Sequence, residues 1–168
     1  SKIIQTYSTD VGGFILGGKV LRLAPSDFKA IFGISGGDNY MEVSTDNTHK
    51  RATKDRLTPY VRHGEKLTAA HAKAGILRLA GKKYLDIAQE EDMAILIILH
   101  LLASFFLPST VTNVPWGWAP FVTEIKAIKE WDWATALCEY MANYLDSRGN
   151  PEVPACNGCV PLLVVCKI

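Results

Sequence analysis

Cys156-Asn157-Gly158-Cys159 sets two thiols at metal-ligand spacing. Thiolates with two residues between them can hold zinc or cycle through a disulfide. The sequence completes neither chemistry. There is no second such pair, and His49, His63, His71 and His100 form no closely spaced histidine pair. A redox site would also need a βαβ setting, which the surrounding residues do not supply. Cys159 and Cys166 lie in an apolar segment, where a thiol behaves as a small hydrophobe. The glycines at 12, 13, 17, 18, 36 and 37 complete neither a phosphate-binding loop nor a dinucleotide fingerprint. Gly17-Gly18-Lys19 sits in a hairpin, away from the helix N-terminus that anion binding uses. The expectation is therefore no catalytic residue, no metal and no cofactor.

Charge offers more. From His49 to Lys83 there are ten Lys/Arg against Asp55 and Glu65, whereas Tyr84 to Ile168 carries four basic and ten acidic residues. The net charge of +1 conceals this asymmetry. A basic block can face nucleic acid, an anionic membrane or an acidic protein surface, or remain a solvated helix face. The candidate contact surface is Lys50, Arg51, Lys54, Arg56, Arg62, Lys66, Lys82 and Lys83. Trp116, Trp118, Trp131 and Trp133 could stack bases. No basic residue interleaves Trp116 and Trp118 in sequence, so core and linker packing is expected for them.

The elements that must position these residues are mostly helical. Phe14 to Leu23 reads as two short strands around the Gly17-Gly18 turn. Pro25 suits a first helical position, with Asp27 in the first turn, Phe28, Ile31 and Phe32 on one face, and Gly33 as the cap. Residues 26–35 resemble the first helix and turn of a helix-turn-helix, but Gly36-Gly37-Asp38-Asn39 breaks the chain where a recognition helix should begin. Thr45 to Thr58 reads as irregular and mobile, within a basic irregular segment over 45–66. Thr68 to Ala80 is alanine-rich and helical, with Gly81 as a stop. The spacing then predicts a linker from Pro115 to Pro120 and a short helix from Phe121 to Lys129. An amphipathic helix follows, capped by Asp132 and running to Ser147, with Ala134, Leu137, Cys138, Met141, Tyr144 and Leu145 as its buried stripe. Cys156 to Ile168 is apolar enough to be core and helical. Its apolar end suits either a terminus packed inside or a chain that continues.

Met93 to Leu107 is a run of fifteen residues without a formal charge. A bilayer core needs about twenty, Pro108 breaks the helix, and Glu90, Glu91 and Asp92 suit a helix N-terminus in water. A central helix buried on all sides is the expectation, with His100 a hydrogen-bonded core histidine. Asp132–Leu145 and Cys159–Ile168 are expected to pack against it.

Three blocks carry a family resemblance. They are the hairpin and helix ending Ala24-Pro25-Ser26-Asp27-Phe28-Lys29-Ala30-Ile31-Phe32-Gly33-Ile34-Ser35, the helix end Ser104-Phe105-Phe106-Leu107-Pro108, and Trp131-Asp132-Trp133-Ala134 followed by Asn157-Gly158-Cys159-Val160-Pro161-Leu162-Leu163. In order and spacing they resemble the plant mobile domain family, also called the aminotransferase-like plant mobile domain. The resemblance implies a mostly α-helical domain of transposon origin, usually nuclear. Host-adopted members are tied to silencing, genome integrity and development through protein partners. It implies no aminotransferase activity, because a pyridoxal enzyme needs a Schiff-base lysine, a phosphate cup and a carboxylate at the pyridine nitrogen. The chain departs from the family in its basic 49–83 window and its Ala-Pro-Ser-Asp-Phe opening.

These readings converge on a mainly α, single helical domain with a small N-terminal β-hairpin. It comprises a hairpin and helix over 14–35, the basic segment over 45–66 and a helical core over 68–168. The expected role is a non-catalytic protein-interaction module, with nucleic-acid binding through the 49–83 window as the alternative. Membrane attachment is not expected, the partner and oligomeric state stay open, and the expected location is the nucleus, with the cytoplasm as second choice.

Overall fold

Two consecutive glycines with positive φ, Gly17 at 55° and Gly18 at 76°, set the N-terminal sheet. This pair of angles turns the chain in the sense that matches strand twist, so β2 (Gly13–Leu16) folds directly onto β3 (Lys19–Leu21). β1 (Tyr7–Ser8) adds to the other side, giving the antiparallel order β1-β2-β3. The hairpin expected from sequence is present, with this extra strand. The computed structural model describes residues 4–34, 36–43, 48–60, 67–107, 113–114 and 116–147. The chain is mainly helical, with a three-stranded sheet at its N-terminal end. Contacts group it into two compact units, residues 1–41 with 129–168, and residues 42–128.

In the first unit, α1 (Pro25–Phe32) begins with Pro at its first position, and the Ala24 N–H donates to the Asp27 carboxylate at 2.8 Å. Gly33 ends it with φ at 66°, a conformation open to glycine at little steric cost. Phe28 is buried, and α1 packs against α6 (Trp133–Ser147). Asp132 caps α6, its carboxylate accepting from the Thr135 N–H at 3.2 Å and the Thr135 hydroxyl at 2.6 Å. The buried stripe of α6 is Ala134, Leu137, Cys138, Met141 and Leu145; Ala136 is buried on the opposite side, and Tyr144 is only half-buried. Residues 36–39 lie along Glu130–Asp132, with the Gly37 N–H donating to the Trp131 carbonyl at 3.0 Å. A Cβ at Gly37 would sit 2.0 Å from the Glu130 carbonyl oxygen, so no larger residue fits this contact. Residues 36–39 are thus a strap, not a recognition helix.

The second unit is built on a helical hairpin of α3 (Ala69–Ala80) and α4 (Ile87–Leu101). Thr68 caps α3 by accepting from the His71 N–H at 3.2 Å. Asp86 caps α4 by accepting from the Gln89 N–H at 2.8 Å. The helices run antiparallel, because the Ala69 carbonyl meets His100 while a Cβ at Gly75 would lie 2.9 Å from Leu96. α4 continues through a wider turn, Leu102–Phe106, in which the Leu107 N–H donates to the Leu102 carbonyl at 2.7 Å.

Three expectations need correction. The stretch read as irregular contains α2 (Thr48–Leu57), which packs against α5 (Ala119–Thr123). Buried Thr53 and Leu57, four residues apart, give it an inward face too sparse to stand out in sequence. The Thr123 hydroxyl donates to the Ala119 carbonyl at 2.8 Å, so in the 2.7 Å contact between Thr53 and Thr123 the Thr53 hydroxyl is the donor. Second, the expected 115–120 linker is partly core: Trp118 and Ala119 are buried, while Trp116, Gly117 and Pro120 are half-buried. Helix begins at Ala119, ends at Thr123 because Glu124 is extended, and resumes as a 3-10 turn over Ile125–Glu130. Third, the 93–107 helix starts at Ile87, and it is not buried on all sides, since Ile97 and Leu101 are 38% and 44% exposed. Within its own unit, α4 packs on α3 and α5. The expected terminal helix over 156–168 lies outside the described residues. Among the described residues, no helix is long and apolar enough to cross a membrane.

Candidate functional site

The eight basic candidates meet different fates. Lys50 lies in α2, as do Arg51 and Lys54, whose side chains are exposed. Arg51 pairs with Asp55 one turn on, at 4.0 Å. Lys82 and Lys83 are exposed just beyond α3. Arg62 and Lys66 lie outside the described residues. Arg56 turns inward: it donates to Glu91 at 2.9 Å and to Asp92 at 2.5 Å, in the first turns of α4. Burial works against its charge, but the bonds and attraction from Asp92 and Glu91 outweigh burial and raise its pKa. One cation of the basic window is therefore spent on fastening α2 to α4.

An aromatic extends this fastening. The Tyr60 hydroxyl donates to Asp92 at 2.8 Å. Burial first, and then this carboxylate, push the Tyr60 phenol up to about 12. The Arg78 guanidinium lies over the Tyr60 ring, 4.9 Å from its centroid, and donates to the Pro59 carbonyl. The Arg56–Asp92–Tyr60–Arg78 group holds the end of α2 and the following turn against the α3–α4 hairpin. The partly buried Arg56 is matched by Asp92 and Glu91, which is the chemistry of a clasp.

The structure brings together one pair that sequence order concealed. The Lys54 ammonium sits 5.3 Å from the centroid of the Trp116 ring, although the two are far apart in sequence. The Lys83 ammonium likewise lies 5.5 Å from the Tyr84 ring. Sequence reasoning missed a second surface altogether. Leu77, Tyr84 and Ile87 are 62%, 80% and 77% exposed around the α3–α4 turn, and Ile97 and Leu101 continue along α4. The signal was available in the Met93–Leu107 run, which holds more apolar residues than one buried helix face requires.

The Cys138 thiol is buried in α6, and burial, reinforced by the charges of Asp27 and Glu139, raises its pKa to about 11. A thiol held neutral is a poor nucleophile. His100 is half-buried, and its Nδ1 donates to the Ala69 carbonyl at 2.8 Å, so the expected hydrogen bond is present. Cys156, Cys159 and Cys166 lie outside the described residues, and among those described no three His, Cys, Asp or Glu groups converge as metal ligands.

No curated protein and no solved structure matches the chain. A family model described as Domain of unknown function (DUF8566) matches residues 1–164, nearly the whole sequence. By that match the chain belongs to the DUF8566 family.

Proposed function

We propose that the chain is a non-catalytic protein-interaction module that works through its α3–α4 hairpin. One observation carries this reading: of the ten large hydrophobic side chains exposed among the described residues, five belong to this hairpin, Leu77, Tyr84, Ile87, Ile97 and Leu101, among them the three most exposed. Burying such a side chain is worth about 1.5–3 kcal/mol, so a partner covering several of them gains substantial affinity. The resemblance to the plant mobile domain extends the proposal to a nuclear, transposon-derived module serving silencing, genome integrity or development. A photo-crosslinking side chain placed at Ile97 or Leu101, with exposed Asn143 of α6 as control, tests the interaction reading in native extract. Discrete adducts from the α4 positions and none from the control are the expected result. Equal, diffuse labelling at all positions would remove the reading.

A second reading has its own support. Lys54 stacked on Trp116, beside exposed Arg51, is a cation–aromatic pair of the kind that grips a nucleic-acid backbone and base. Titration with duplex and single-stranded DNA and RNA at two salt concentrations separates the two readings. Phosphate contacts make log affinity fall with log salt at about 0.7–0.9 per contact. Steep weakening, lost on replacing Arg51 and Lys54, would favour nucleic acid. Absence of binding at low salt leaves the protein partner.

A further inference from the structure

We infer that the outer stripe of α4 seats an amphipathic helix of a partner protein whose basic residues meet Glu90 and Asp86. The inference rests on the interaction reading above and names the partner's chemistry. Ile87, Glu90, Ala94, Ile97 and Leu101 follow one another at alternating steps of three and four residues. At about 100° per residue they fall within an arc of roughly 80°, opposite the buried Ile95, Leu96 and Leu99. α4 therefore presents one apolar face to its own core and a second to solvent. Steps of three and four are the seam that packs against another helix by knobs into holes.

Charge identifies the occupant. Residues 84–106 contain Asp86, Glu90, Glu91 and Asp92 and no Lys or Arg, and of the two lysines just before them Lys83 is held over the Tyr84 ring. The molecule already shows how this acidic turn receives a helix: α2 approaches it and supplies Arg56 to Glu91 and Asp92. Glu90 and Asp86 are exposed, and among the described residues neither has an ion-pair partner. A helix on the outer stripe meets the same demand with Lys or Arg at that end. Basic side chains are favoured at helix C-termini, so the complementary helix runs antiparallel to α4. A parallel pairing of two α4 stripes would stack Glu90 on Glu90. An antiparallel pairing of two copies would leave both acidic ends without cations. The stripe is also only about 22 Å long, short for a self-sufficient dimer interface.

The test pans the full chain against a displayed library of helical peptides, about 15–18 residues long to match α4. The library carries Leu at alternating steps of three and four, with all flanking positions randomised. The selected peptides are expected to be enriched in Lys and Arg toward their C-terminal halves. A synthesised winner should bind Ile87→Asp and Glu90→Lys roughly tenfold more weakly than the parent chain. A peptide with Glu replacing its basic residues should regain affinity for Glu90→Lys, an outcome that altered folding would not produce. Thermal midpoints of both variants should match the parent. Neutral or acidic winners, or winners indifferent to Glu90→Lys, would overturn the basic-helix inference while leaving the interaction reading standing if crosslinks form at Ile97. A dimer in sedimentation that Ile87→Asp dissolves would assign the stripe to a second copy and also overturn it. No selection and no crosslink would remove both.

Discussion

α4 and α6 are both fifteen residues long and both start at an Asp cap, yet their outer faces differ. On α6 the buried stripe of Ala134, Leu137, Cys138, Met141 and Leu145 is backed by exposed Glu139, Asn143 and Asp146, with the small, buried Ala136 among them. On α4 the buried Ile95, Leu96 and Leu99 are backed by exposed Ile87, Ile97 and Leu101. One helix spends its apolar residues on its own unit. The other has a surplus, and leaving that surplus in water forgoes burial energy that the fold does not need. The lesson is that apolar content beyond one face's requirement points outward, to what a surface contacts.

The strongest way to break this comparison is to truncate the inner faces. Leu99→Ala on α4 and Leu137→Ala on α6 should each cost about 2–5 kcal/mol, because both side chains are fully enclosed. Leu101→Ala, two residues from Leu99 but on the other face, should cost about 1 kcal/mol or less. Denaturant midpoints at constant slope decide it. Equal losses at Leu99 and Leu101 would mean that α4 is enclosed on both sides.

The second test concerns what fastens each helix. Arg56→Ala leaves Asp92, whose side chain is only 13% exposed, without its guanidinium. The expected loss is about 1–3 kcal/mol, with Arg56→Lys intermediate because an ammonium cannot bridge two carboxylates as a fork does. Each helix also holds a carboxylate bonded by a distant tyrosine, Asp92 by Tyr60 and Asp146 by Tyr7. Both phenols are pushed up to about 12, by burial first and the carboxylate second. A folded pKa above the unfolded value near 10 means that the contribution is whole below pH 10 and is lost as pH rises toward 12. Tyr60→Phe and Tyr7→Phe should each flatten part of the fall in stability across that window. Parallel curves for parent and variants would show that neither bond matters to the fold.

These helices also show what was legible in the sequence. α1, α3 and α6 announce their limits through Pro25 and Gly33, Thr68 and Gly81, and Asp132, because capping is local chemistry written in adjacent residues. The Gly17-Gly18 turn is legible for the same reason. α2 was not, since Thr53 and Leu57 become an inward face only once α5 is there to receive them. Nor could residue order reveal that Arg56 would be drawn inward while Lys54 stacks on Trp116. The basic window was visible as a count, but the division of its charge between clasp and surface is a tertiary fact.

The two caps sharpen the comparison at smaller magnitude. Asp86→Ala and Asp132→Ala each remove the side-chain acceptor for one N-terminal amide, at 2.8 Å and 3.2 Å respectively. About 1 kcal/mol is expected for each. Asp132 also accepts the Thr135 hydroxyl at 2.6 Å, so its loss should be the larger of the two. Hydrogen exchange of the first-turn amides would locate the effect.

The smallest expected effect bears most directly on function. Ile87→Ser removes an apolar side chain that is 77% exposed at the first position of α4. Stability should stay within about 0.5 kcal/mol of the parent, because the fold buries little of that side chain. The reciprocal change, Asn143→Leu on exposed α6 surface, should be equally mild for stability while giving α6 an outward apolar residue it lacks. If the outer faces differ because α4 serves a partner, Ile87→Ser weakens crosslinking at Ile97 at unchanged stability. Asn143→Leu, by contrast, creates no discrete adduct on α6, since a single apolar side chain lacks a stripe around it. A loss of stability at Ile87 comparable to that at Leu99 would instead make the outer stripe part of the fold's own packing.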